Sequence, residues 1–251
     1  MEVLGGVGVD LIASVLFTSA GFGLARLYES LKARRRFGYV NALLGTGRRI
    51  TVVFPGAGPT RELEGRPANA IGMSLAEGAA ITRVGVICRD ARPGTEMYLV
   101  HPNDFHPARG PFVIIGDPAD AAWSRVWVAN SFPQLCCSAE RHCVEFDGAR
   151  WETRIDNNVV IRDFGLIIVG VTSNAHHFAI LWGASEFGVN IAARAFGDLY
   201  SQLSRERYKK VVAGESWMYV AQGDVDGYGV RTDDVSNVSI VAAYRSHNNS
   251  E

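Results

Sequence analysis

Three loops carry the residue types from which a binding or catalytic site is most readily built. FPGAGP (54–59), IIGDPADAAW (114–123) and LWGASEFGVN (181–190) each follow an apolar run and lead into a loop or a helix. In an open α/β sheet, ligands bind beyond the carboxyl ends of strands. Glycine there lets a ligand approach the backbone, and helix N-termini offer N–H groups. The expected ligand contacts are Gly56, Gly58, Gly116, Asp117, Asn174, Gly183, Ser185, Glu186, Gly188 and Asn190. The third loop is the most informative. Ser185 is suited either to cap the following helix or to contact an anion, and Gly188 stands where a capping box needs Glu or Gln. Phosphate or ribose binding and plain strand–helix packing both stay open for this loop. On the binding reading, Gly188→Val blocks backbone approach and leaves the fold intact.

Catalysis has thinner material. Glu186 and Asp117 are the candidate acid–base residues, although a solvated Glu favoured by the helix dipole also accounts for Glu186. Gly183–Gly188 is one residue longer than a G-x-S-x-G nucleophile elbow. No metal site is expected. His176 and His177 are adjacent and on a strand point to opposite faces, while His101, Asp104 and His106 fit turn roles as well as ligand roles. Cys88, Cys136, Cys137 and Cys143 contain no C-x-x-C pair, which excludes zinc-ribbon and thioredoxin-like sites and fits a reducing compartment. No cofactor is called for.

The elements that must position these loops follow from periodicity. ITVVFPG (50–56), EMYLVH (96–101) and GPFVIIG (110–116) read as strands, and helices are expected over about 68–90 and from 117 to 130. Alternation around Asp147-Gly148 predicts a hairpin within 142–156. Strand-like runs at 162–174 and 176–185 turn at Asn174. A long helix is expected from Phe187 to about Lys209, and two late strands close the chain. The expected body, residues 49–251, is a Rossmann-like three-layer α/β domain with a mixed or partly antiparallel C-terminal half.

Ahead of that body, Val3–Ala25 is a 23-residue apolar run with the single charge Asp10, followed by Arg26, Lys32, Arg34, Arg35 and Arg36. At about 1.5 Å per residue it is long enough, as a helix, to cross a bilayer. Residues 1–36 are thus expected to be a transmembrane anchor with a basic flank, and 37–48 a linker. The basic cluster then places the body on the cytoplasmic side of a single-pass inner-membrane protein. Asp10, Ser14, Thr18 and Gly21 share one face, suited to helix association or to a pore between several copies, with membrane lipid as a partner and a homo-oligomer as the assembly.

Apolar residues are 47% and charged residues 20% of the chain, the composition of a folded protein. Beyond residue 46 the chain holds 20 basic and 23 acidic side chains, which argues against general nucleic-acid binding. A strand–Gly-x-Ser-x-x-Gly–helix loop under an N-terminal anchor resembles the membrane-tethered Rossmann-like sensors of bacterial antiviral systems, of the CARF and SLOG types. The loop departs from the Gly-Gly-x-Gly-Thr pattern of SLOG-type domains. The resemblance implies a ligand-sensing effector in which a nucleotide-like signal bound by the α/β domain reorganises oligomeric membrane helices. The alternatives are a membrane-attached nucleotide or N-glycosidic bond hydrolase and an anchored protein-interaction module.

Overall fold

Alternating burial along the strands divides the core into two faces of one large sheet. The computed structural model of the 251-residue chain describes residues 22–25, 28, 31, 36–54, 75–117, 121–138, 142–157, 159–225 and 235–246. Its strands are β1 (Arg49–Val53), β2 (Glu96–Val100), β3 (Phe112–Ile115), β4 (Cys136–Ser138), β5 (Cys143–Phe146), β6 (Ala149–Glu152), β7 (Arg154–Asp156), β8 (Val159–Val171), β9 (His177–Gly183), β10 (Trp217–Val225) and β11 (Val235–Arg245). Its helices are α1 (Gly38–Leu44), α2 (Leu75–Ala91), α3 (Ala122–Ser131), α4 (Glu186–Gly197), α5 (Leu199–Gln202) and α6 (Arg205–Val212).

The large sheet has the order β11-β10-β8-β9-β3-β1-β2, with β7 pairing the start of β8. Strands β2, β1, β3 and β9 run parallel, and β9, β8, β10 and β11 pair antiparallel. The mixed character arises from local connections. A five-residue turn, Thr172–His176, can join β8 only to an antiparallel neighbour, whereas β1 reaches the parallel β2 through α2. Strands β4, β5 and β6 form a second, small antiparallel sheet around the Asp147-Gly148 turn.

Period-2 side-chain direction explains the two faces. Val52, Val113, Ile167 and Leu181 point to the face covered by α1, α2, α4 and α6. Val53, Phe112, Ile114, Phe164, Leu166 and Ile180 point to the other, covered by α3 and β5. The central strands are buried on both sides, so they read as near-continuous apolar runs, as covered sheets do.

Two segments depart from the sequence expectation. Residues 37–48, read as a linker, supply α1, whose Tyr39, Val40, Leu43 and Leu44 are buried in the core. The Tyr39 hydroxyl donates to the Phe178 carbonyl at 2.6 Å, and the Tyr39 N–H donates to the Tyr208 hydroxyl at 2.8 Å, which pins α1 to β9 and α6. The long helix expected over 187–209 is three pieces. Asp198 closes α4 after Gly197, Leu203 is extended, and the Ser204 hydroxyl caps α6 by accepting from the Arg207 N–H.

The transmembrane anchor is a correction. Among the described residues no helix is long and apolar enough to cross a membrane, so the described fold is mixed α/β, and the transmembrane anchor and single-pass inner-membrane placement are not supported. Of the apolar run only Phe22–Ala25 is described, as helix, and Asp10, Ser14, Thr18 and Gly21 lie outside the described residues. The physical weakness of the expectation is its reliance on length and hydropathy. Val3–Ala25 contains five glycines, each about 1 kcal/mol worse than alanine in a helix interior.

Candidate functional site

The carboxyl ends of β1, β3 and β9 lie along one edge of the sheet, because these strands are parallel neighbours. Above β1 and β3 the chain parts. After β1 it passes to α2, which packs with Val52 and Val113 on one face; after β3 it passes to α3, which packs with Phe112 and Ile114 on the other. In open α/β sheets, divergence of this kind marks the place where a ligand crevice forms. Of the first loop only Phe54 is described; Gly56 and Gly58 lie outside the described residues.

At the β3–α3 junction, Gly116 is buried with φ 103°, a backbone conformation that L side chains rarely adopt, and its N–H donates to the Leu181 carbonyl at 2.9 Å. Asp117 follows and is exposed at the edge. The first turn of α3 is preceded by Ala121, extended at φ −105° and ψ 123°, which offers no side-chain oxygen to the helix amides.

The β9–α4 junction is built differently. Ser185 is the N-cap of α4; its hydroxyl accepts from the Phe187 N–H at 3.2 Å and donates to Asp163 Oδ2 at 2.5 Å. Asp163, on β8, has no exposed surface. The Thr153 hydroxyl donates to its Oδ1 at 2.6 Å, and the N–H groups of Phe164 and Gly188 also hydrogen-bond to it. Burial pushes this carboxyl above its usual range, against the pull of those four donors. The carboxylate therefore sits at the α4 N-terminus in the place an anionic ligand would take.

The glycines of this loop serve packing. A Cβ at Gly188 would fall 2.8 Å from Gly183 Cα and closer still to the Phe164 carbonyl; a Cβ at Gly183 would fall 2.6 Å from Gly188 Cα. Gly165, paired with Gly183 across β8 and β9, would meet the Ala192 nitrogen at 2.6 Å. Three absent side chains thus let α4 lie directly on the strands. Gly188→Val strikes that contact, so it cannot leave the fold intact.

The remaining candidates scatter. Asn174 lies in the β8–β9 turn, at the opposite edge of the sheet from Gly183. Asn190 is buried within α4, and Glu186 is that helix's first residue. The Nδ1 atoms of His101 and His106 accept from the N–H groups of Asn103 and Ala108, capping short 3-10 turns. Sequence reasoning missed Asp163, Thr153 and Cys137. An acid inside the run RDFGLIIVGV was the available signal, since a charge in a central strand must find partners. The Cys137 thiol, on β4, is pushed up by burial and then by the nearby carboxylates of Asp117 and Asp163. That suppresses thiolate chemistry.

Comparison with family models, with curated proteins and with solved structures finds no match for this chain, so nothing in them ties it to the CARF- or SLOG-type sensors it resembles in layout.

Proposed function

We propose that the α/β body is a ligand-binding domain that takes a nucleotide-like small molecule at the crevice above β1 and β3. The observation that supports this reading is the make-up of the β3–α3 junction: Gly116 holds a positive φ, Asp117 is an exposed carboxylate, and the N-cap residue Ala121 has no side-chain oxygen of its own to offer the α3 amides. In such a site the helix amides accept a phosphate and an exposed carboxylate accepts hydrogen bonds from sugar hydroxyls. The reading moves the ligand from the 181–190 loop to the 114–123 loop, because Asp163 already occupies the donors of Ser185 and Gly188. Nucleophilic hydrolysis through Ser185 or Cys137 is disfavoured by the same geometry. The Ser185 hydroxyl is held by a buried carboxylate with four donors, and the Cys137 thiol is kept protonated.

The test is a titration of the full chain with nucleoside mono-, di- and triphosphates, followed by tryptophan fluorescence. Trp123 stands in the first turn of α3, its ring 5.1 Å from that of Phe112, and reports on that helix end. Asp117→Ala is expected to weaken the ligand by roughly tenfold, the worth of one charged hydrogen bond. Saturable binding that is unchanged in Asp117→Ala and in Ala121→Ser would sink the assignment.

A further inference from the structure

The opposite edge of the sheet holds a cavity unrelated to that crevice. It has a volume of about 300 Å³ and lies where β1, β3 and β9 begin, roofed by the end of α1. Arg49, Arg109, His176, His177, Thr46 and Thr51 line it, and among the described residues no acidic side chain does. Its size is at the lower end for small-ligand sites. Arg49 is partly committed, with Nε 3.3 Å from Glu96 Oε2 and its guanidinium 5.7 Å from the centroid of the Tyr98 ring. Arg109 has no acidic partner among the described residues.

Two residues of the cavity wall carry unusual local features. His177 Nδ1 is buried without a hydrogen-bond partner, a rare cost in a folded protein. Beside it, Ala175 in the cavity wall holds φ at 60°, a strained conformation for a residue with a Cβ. Burial lowers the proton affinity of His177, so its imidazole is neutral at neutral pH and offers one N–H. Two guanidinium forks, two threonine hydroxyls and two imidazoles supply more donors than the two oxygens of a carboxylate can accept. A phosphate group has three terminal oxygens and suits such a set.

We propose that this cavity is a binding site for a small phosphate-bearing anion, held by Arg109 and Arg49 with Thr46 and Thr51 completing its donors. The proposal is tested by titrating the full chain with inorganic phosphate, and separately with acetate, while following the imidazole NMR signals of His176 and His177 and the heat of binding. Phosphate is expected to move both signals saturably. Arg109→Met keeps the aliphatic stem at an exposed position, and Thr51→Val keeps the shape of the side chain; each is expected to weaken phosphate by roughly tenfold or less while the thermal melt stays put. Signals that ignore phosphate overturn the proposal. So does phosphate binding that is equal in wild type and both variants, or acetate binding as tightly as phosphate. Both substitutions lie at the edge of the sheet where β1 and β3 start, so their failure leaves the crevice reading at the other edge standing, and a failure of Asp117→Ala leaves this one standing.

Discussion

Two strand-to-helix junctions stand on the same edge of the sheet and use the same parts to opposite ends. At β9–α4, a serine cap and a buried aspartate satisfy the helix amides, and three glycines press the helix onto the strands. At β3–α3, the cap is alanine, the acid is exposed, and the glycine serves a positive-φ turn. The first junction is filled by the protein itself. The second receives no side-chain cap from its N-cap residue. A Gly-rich loop before a helix is thus no sign of a ligand until the helix's own anion has been sought, here on the neighbouring strand β8.

The contrast can be broken most severely at Gly188. Gly188→Val places a branched side chain against the Phe164 carbonyl and Gly183 Cα, backbone groups that cannot move aside. A loss of about 4 kcal/mol or more is expected, measured by chemical denaturation or as failure to fold. A soluble, natively melting variant would show that α4 does not rest on the strands as described.

Next in size is Asp163→Asn. The amide replaces one acceptor oxygen with a donor among four donors, so a loss of about 2–3 kcal/mol is expected in a urea melt. The pH dependence sharpens this. Because burial raises the carboxyl's proton affinity in the folded state, the folded protein holds this proton more tightly than the unfolded chain. Wild-type stability from this group is then fullest below the ordinary carboxylate range and falls as pH rises through the raised value. The gap between wild type and Asp163→Asn should narrow as pH climbs from about 4. A widening gap would mean that the donors outweigh burial.

Smaller effects exchange the two caps. Ser185→Ala is expected to cost about 1 kcal/mol or somewhat more, since it removes both the bond to the Phe187 N–H and the one to Asp163. Ala121→Ser should do the reverse at α3, adding about 1 kcal/mol while weakening a phosphate-bearing ligand that competes for the same amides. Equal ligand affinity in Ala121→Ser and wild type would remove the α3 amides from the site. The smallest stability effect is expected for Asp117→Asn, within about 0.5 kcal/mol by thermal melt, since the residue is exposed. Its ligand affinity should nevertheless drop.

Much of the framework was legible in the residues. The apolar runs around Val52, Val113, Ile167 and Ile180 announced buried strands, Asp147-Gly148 announced its hairpin, and the residues after Ile115 and Gly183 announced loops leading into helices. These are local properties, fixed by side-chain period and turn chemistry within a few residues. The apolar run at the N-terminus lies mostly outside the described residues, of which Phe22–Ala25 is helix. The break of 187–209 into three helices was signalled only faintly, by Gly197, Asp198 and Ser204.

What the site became depended on contacts distant in sequence. Asp163 and Ser185 are 22 residues apart, and their hydrogen bond exists because β8 and β9 pair in a register that sets Gly165 opposite Gly183. One residue of slip would turn Asp163 to the other face and leave the α4 amides open. Likewise the cavity at the other edge needs Arg49, Arg109 and His177 at the starts of three strands that are neighbours only in the folded sheet. Sequence alone determined the central strands and the Asp147-Gly148 turn, since those preferences act locally, though not α1 or the break of 187–209 into three helices. Only tertiary structure decided that the α4 end is filled from within, since the register of β8 against β9 brings Asp163 to that helix end.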